Sequence, residues 1–313
     1  MTSTVLDAAM CLLLVSAGAV TLVTVPDAGG VESPVDTGGE RLSGDDPDRA
    51  DALATTLTTV TASVNYTLAP GARRASGTSV AFPHTEGPQF ERTSRGTLAG
   101  LLADAAVAGV RVDGRRLDHT GDDFRRGVRA RTLETVGANV QVVAVWRPVS
   151  DGPIEGRLVV GPDPPADRSV HASVVRVPTE FASVDREGER GTAPNAADGT
   201  PHERPAHEAA TAVVTGLLPP AETRFALDGD YPVTALTRHR YHRLATLLGV
   251  DLDGSVTEEP ADSNVTRATE LLTEGLADRL SASFRHSAAS TDERASELAV
   301  GRVRITVRTW GAS

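Results

Sequence analysis

A run of apolar side chains from Val5 to Val25, VLDAAMCLLLVSAGAVTLVTV, restricts this chain more than anything that follows it. Its length matches the ~20 residues an α-helix needs to cross the hydrocarbon core of a bilayer. Asp7 stands in its first turn, and Pro26 with Gly29 and Gly30 stops it. The run predicts a transmembrane anchor over residues 1–26, with the lipid bilayer as its partner. A cleaved signal peptide would want a positive n-region, but no Arg or Lys precedes Cys11. Leu22 to Val25 also carry the apolar run past Ser16-Ala17-Gly18-Ala19, the segment that resembles a cleavage site. The expected plan is a single-pass protein with one anchored end and one water-exposed body.

Orientation cannot be read from Lys and Arg, because the first basic residue after the span is Arg41. Two sequons, Asn65-Tyr66-Thr67 and Asn264-Val265-Thr266, tilt the body toward the outside of the cell membrane. Asn65 and Asn264 are therefore expected to carry glycan, and a mass spectrum showing both bare would remove that support.

Charge narrows the class of partner. The chain has 42 acidic against 31 basic residues, a net charge of -11, and its basic residues are all Arg. Nucleic acid needs a basic footprint to neutralise phosphate, so it is not an expected partner. A Lys-free acidic surface fits a salt-loving archaeon, where high salt screens self-repulsion; a GC-rich genome that writes Arg for Lys is the alternative. Cys11 is the only cysteine and lies inside the apolar run, so no intramolecular disulfide can form.

Beyond the span, residues 27–48 are Pro, Gly, Ser and Asp rich and read as a flexible stalk. Ala50, Leu53, Leu57, Val60 and Val64 follow at helical spacing. Asn65 to Leu68 looks extended, Pro70-Gly71 reads as a turn, and a loop with a short strand at Ser79 to Phe82 reaches about Glu91. Helices are expected from Leu98 to Gly109 and from Thr120 to Val136, and strands at Val110–Val112, Asn139–Trp146, Arg157–Val160 and Ser169–Val177. Residues 185–205 are polar again and read as a linker, dividing a lobe at 49–184 from one at 206–313. The second lobe is mostly helical, with helices at Ala206–Leu218, around Tyr241 to Leu248, and at Asn264–Arg285. In its last strand, Val303, Ile305 and Val307 alternate with Arg302, Arg304 and Arg308. The fold class is α+β, a mixed helix and antiparallel-sheet body behind an N-terminal transmembrane helix.

No catalytic constellation assembles from spacing. There is no G-x-S-x-G elbow, no Walker loop and no dinucleotide fingerprint, so no catalytic residue and no cofactor is assigned. His202 and His207 frame HERPAHE, but zinc ligands on one helix face need i and i+4, and Pro205 is expected to break a helix between them. No metal site is assigned. The adjacent acids Asp122-Asp123 and Glu258-Glu259 point apart and read as caps or solubilising charge. The densest basic cluster, Arg238, His239, Arg240, His242 and Arg243, is either a docking face for an acidic partner or glycan, or a solvated face.

Asp7 ahead of the apolar run resembles the acid near the start of the helix in type IV pilins and pseudopilins, which pairs with a neighbouring subunit during assembly. More broadly, MTSTVLDAAMCLLLVSAGAV, GRLVVGPDPP and LDGDYPVTALTRHRYHRL look like haloarchaeal membrane-anchored proteins encoded beside pilus-like or secretion loci. The resemblance implies a non-enzymatic accessory of such an assembly, with its subunits as partners and Asp7 as the assembly contact. Pilins continue the helix where Pro26, Gly29 and Gly30 interrupt it here, which favours simple anchoring. An extracellular module binding a glycan, an ion or an S-layer partner is the alternative, and an anchored hydrolase the third.

Overall fold

The computed structural model describes residues 48–75, 80–150, 152–181, 203–252, 261–286 and 299–311. The apolar run, Asp7, Cys11, His202, the adjacent acids Glu258-Glu259, the stalk up to residue 47 and most of the expected linker lie outside the described residues. No helix among the described residues is long and apolar enough to cross a membrane.

The body is α+β, built on a six-stranded sheet. Its strands are β3 (Arg111–Val112), β4 (Arg115–Arg116), β5 (Val140–Trp146), β6 (Ile154–Val160), β7 (Val170–Pro178) and β8 (Arg302–Trp310). They lie in the order β4-β3-β6-β5-β8-β7, and every neighbouring pair is antiparallel. The β-branched run VQVVAVW explains why β5 sits centrally, buried along nearly its whole length. In β8, Val303, Ile305 and Val307 are buried while Arg302, Arg304 and Arg308 are exposed, as the period-two pattern indicates. The same outward face carries Arg157 and Arg176, aligned with Arg304 through Val145. Although β8 belongs in sequence to the second expected lobe, it fills the gap between β5 and β7.

Helices α1 (Asp48–Thr59) and α3 (Leu98–Val107) lie on the inner face of the sheet. Apart from Asp104, α3 consists of Leu, Ala, Gly and Val, the composition of a helix buried nearly all round. Its start is capped by the Thr97 hydroxyl, which accepts from the Gly100 amide at 3.1 Å. A hairpin of β1 (Thr61–Thr67) and β2 (Glu91–Thr97) stands apart from the main sheet, and α4 (Asp122–Val136) packs over β1 and α3.

In several places the chain departs from what its local pattern predicts. The helical stripe ends at Thr59, and Val64 lies in β1, because the run TTLTTVTASV is too rich in β-branched residues to stay helical. Pro70-Gly71 is the opening turn of helix α2 (Ala69–Ala75), where a proline's missing N–H costs nothing. Val80 to Phe82 form no strand. The segment ERTSRGT is strand β2; its residues are polar because most of its face is wet.

A second helical layer comprises α5 (Glu203–Leu217), α6 (Pro220–Leu227), α7 (Val233–Leu248) and α8 (Ala261–His286). Pro205 does not break α5; it sits in the first turn. Val265, Ala268, Leu272, Leu276, Leu280 and Phe284 are all buried along one side of α8, which packs on α5, α6 and α7. Helix α7 stops at Gly249 in the left-handed conformation, φ 70°. Sheet and helices share one apolar core.

Candidate functional site

A cavity of about 300 Å³ opens where the hairpin, α3, the segment after β7 and the second helical layer meet. That volume is at the lower end of the range for small-molecule sites. Its charged lining comes from separate elements: Arg92 from β2, Asp104 from α3, Asp118 from the loop before α4, Glu180 after β7, Glu222 from α6 and Arg240 from α7. Leu68, Val107, Phe124, Phe181 and Leu217 make the apolar wall.

Asp104 is the only ionisable residue between Arg95 and Arg111. Its helix is held from both ends. Beyond the Thr97 cap, Arg125 of α4 reaches back so that its guanidinium donates to the Ala105 carbonyl and, at 2.8 Å, to the Arg157 carbonyl. A cation at a helix C-terminus also answers the dipole. Gly109 makes room for that guanidinium, since a Cβ there would overlap it. Burial draws the Arg125 pKa down to about 10, with like charge from Arg116 adding to the effect. The clamp fixes where α3 ends and thus where Asp104 projects.

Asp104 is half-buried by surface because it faces the cavity, yet protein surrounds it closely. Burial, followed by the like charge of Glu180, pushes its pKa from 3.8 up to about 8. Glu180 is raised too, by burial first and then by Glu222. The three acids therefore form a chain of like-charged neighbours. Glu180 is exposed at the mouth, on a segment anchored on both sides. The Thr179 amide donates to the Gly301 carbonyl at 2.9 Å, and the Phe181 ring lies 4.6 Å from that of Trp146. Gly216 permits this, because a Cβ there would overlap the Phe181 ring.

The described cations of the wall differ in what they bind: Arg240 has a carboxylate, whereas Arg92 has backbone carbonyls at Nη1 and no partner at its buried Nε. Arg240 Nε lies 3.3 Å from Asp118 Oδ2, an ion pair with neither side chain fully exposed. Arg92 Nη1 donates to the carbonyls of Gln89 at 2.9 Å and Glu91 at 2.7 Å. Ser94, two residues from Arg92 on β2, is 2% exposed and its hydroxyl has no hydrogen-bond partner among the described residues.

The residues singled out in the sequence occupy varied positions. Asn65 is exposed on β1, its Oδ1 accepting from the Thr93 hydroxyl at 2.8 Å, and Asn264 is half-buried near the start of α8. The basic cluster lies on α7 and is partly packed inward. Arg240 joins the cavity wall, Arg243 donates to the Arg116 carbonyl at 3.3 Å, and Arg238 is half-buried. His239 meets Phe82 edge-on at 6.2 Å; burial lowers its pKa, as it does that of His242. Asp122 and Asp123 do more than cap α4. Asp122 binds Arg116 and, at 2.8 Å, His119 Nδ1; burial works to raise its pKa, but these partners hold it below 3.8. Asp123 accepts from the Thr67 amide at 2.9 Å, tying α4 to β1. Among the described residues no group of three or more His, Cys, Asp or Glu converges to hold a metal ion.

Sequence pattern alone does not single out the acids of the cavity. Asp104 carries a signal, one carboxyl in the apolar run LAGLLADAAV; Glu180 and Glu222 carry none, since only folding brings them near it. Over residues 6–310 the chain matches the family described as "Family of unknown function (DUF7284)", and it belongs to that family. No curated protein and no solved structure matches it.

Proposed function

We propose that this DUF7284 chain is a binding module held at the cell membrane by its N-terminal apolar run, with its body outside and a small ligand as its partner. The observation that carries the reading is a cavity of about 300 Å³ lined by three carboxyl groups, those of Asp104, Glu180 and Glu222, to which no described cation is paired. Uncompensated charge in a concave site disfavours the folded state, and such groups concentrate where a ligand completes them. The apolar run and the two sequons are what support that location. Among the described lining residues Ser94 has no histidine beside it, and the reading offered here is binding. An accessory role in a pilus-like assembly rests on Asp7 and the apolar run.

The test is a thermal-shift screen of the full chain in lipid nanodiscs against small amines, sugars, alcohols and carboxylates. Binding by one chemical class should raise the melting temperature, and Val107→Trp, which fills the cavity wall, should abolish that rise. A screen in which no class stabilises the chain, or in which Val107→Trp responds like wild type, would overturn the reading.

A further inference from the structure

The charge balance of the cavity indicates what it holds, given that it is a binding site as read above. Of the arginines described on it, Arg240 pairs with Asp118, and Arg92 Nη1 donates to backbone carbonyls while its buried Nε has no hydrogen-bond partner among the described residues. Asp104, Glu180 and Glu222 have no ion pair among the described residues; Glu180 acts against the charge of Asp104, and Glu222 against that of Glu180. Ser94 adds an independent sign, a nearly fully buried hydroxyl on the same cavity without a partner. Such a group is costly to leave unmatched. The acids do not converge as metal ligands do. Phe124, Phe181, Leu68 and Leu217 meanwhile offer a wall suited to hydrocarbon and, through the rings, to cationic charge.

We propose that the cavity takes an organic cation, a primary ammonium on an apolar skeleton, seated by the Asp104 carboxylate, with Glu180 and Glu222 on the same wall adding negative potential. The neutral Ser94 hydroxyl is a further acceptor on the same cavity. Binding carries a proton balance. In the free protein near neutral pH, Asp104 holds its proton. The arriving ammonium favours the carboxylate, so the Asp104 proton leaves to solvent while the ligand keeps its own. The other charged groups facing this exchange are Arg92, Asp118, Glu180, Glu222 and Arg240.

The experiment is isothermal titration of the full chain in nanodiscs with 2-phenylethylamine, 2-phenylethanol and phenylacetate, repeated in buffers of different ionisation enthalpy. The amine should bind at least about tenfold more tightly than the alcohol or the acid, a preference of about 1.4 kcal/mol. Its binding should release a proton near pH 7. Asp104→Asn, a neutral isostere compatible with folding, should lose both the preference and the proton release, and Asp104→Glu should keep the preference. Equal or tighter binding of the alcohol or the acid would overturn the cation assignment while leaving the cavity a binding site. An amine preference and proton release that survive Asp104→Asn would also overturn it. Binding of none of the three would sink the assignment, and the broad screen with Val107→Trp then decides separately whether the cavity binds anything.

Discussion

A carboxyl that keeps its proton to about pH 8 works against folding at neutral pH, because the unfolded chain ionises it near 3.8. Between those values the native state binds more protons than the unfolded state, so stability falls as pH rises through the window. The loss is complete above about 8. Asp104→Asn removes this burden while preserving shape. The variant should be more stable than wild type at neutral pH by at least about 1 kcal/mol. Each pH unit separating the folded and unfolded values is worth about 1.4 kcal/mol, and the open side of the cavity reduces the sum. The difference should close as pH drops below the ordinary carboxylate value, which urea midpoints measured across pH would show. A variant no more stable than wild type would mean that Asp104 already has a compensating partner. At this scale the sequence was partly legible. A lone Asp in LAGLLADAAV is visible as an anomaly, whereas the burial of Ser94 and the proximity of Glu180 and Glu222 depend on segments far apart in the chain.

Among the elements, α3 and α4 depend on each other through one side chain. Arg125 satisfies the Ala105 and Arg157 carbonyls from a buried position, and Gly109 leaves it the space. Arg125→Met keeps much of the volume but strips both carbonyls of their donor, a change expected to cost about 2–4 kcal/mol. Gly109→Ala should be destabilising too, by about 1–3 kcal/mol, since the added methyl displaces the guanidinium. Urea denaturation measures both, and if the double variant costs no more than the worse single one, the coupling is established. Long, strongly periodic elements were legible: α8, the alternating strand β8 and the valine-rich β5 were all visible as repeating patterns. Short or polar elements were not. Helix α2 hid behind Pro70-Gly71, and β2, with its wet face, has no apolar alternation to reveal it.

The whole molecule is closed by pairings that local sequence does not specify. β8 alternates clearly, but nothing in its residues says that it enters between β5 and β7. That insertion places Gly301 and Val300 against Thr179, which holds the segment carrying Glu180 at the cavity mouth. The cavity is thus a product of long-range topology, and its acids could not be grouped beforehand. The most direct measurement is the titration of the Asp104 side-chain carboxyl by carbon-13 NMR in the full chain in nanodiscs, assigned against Asp104→Asn. The arrangement described predicts a midpoint at about pH 8, raised by burial and by Glu180. A midpoint near the ordinary value of 3.8 would show that the carboxyl is solvated or paired, and would contradict the account.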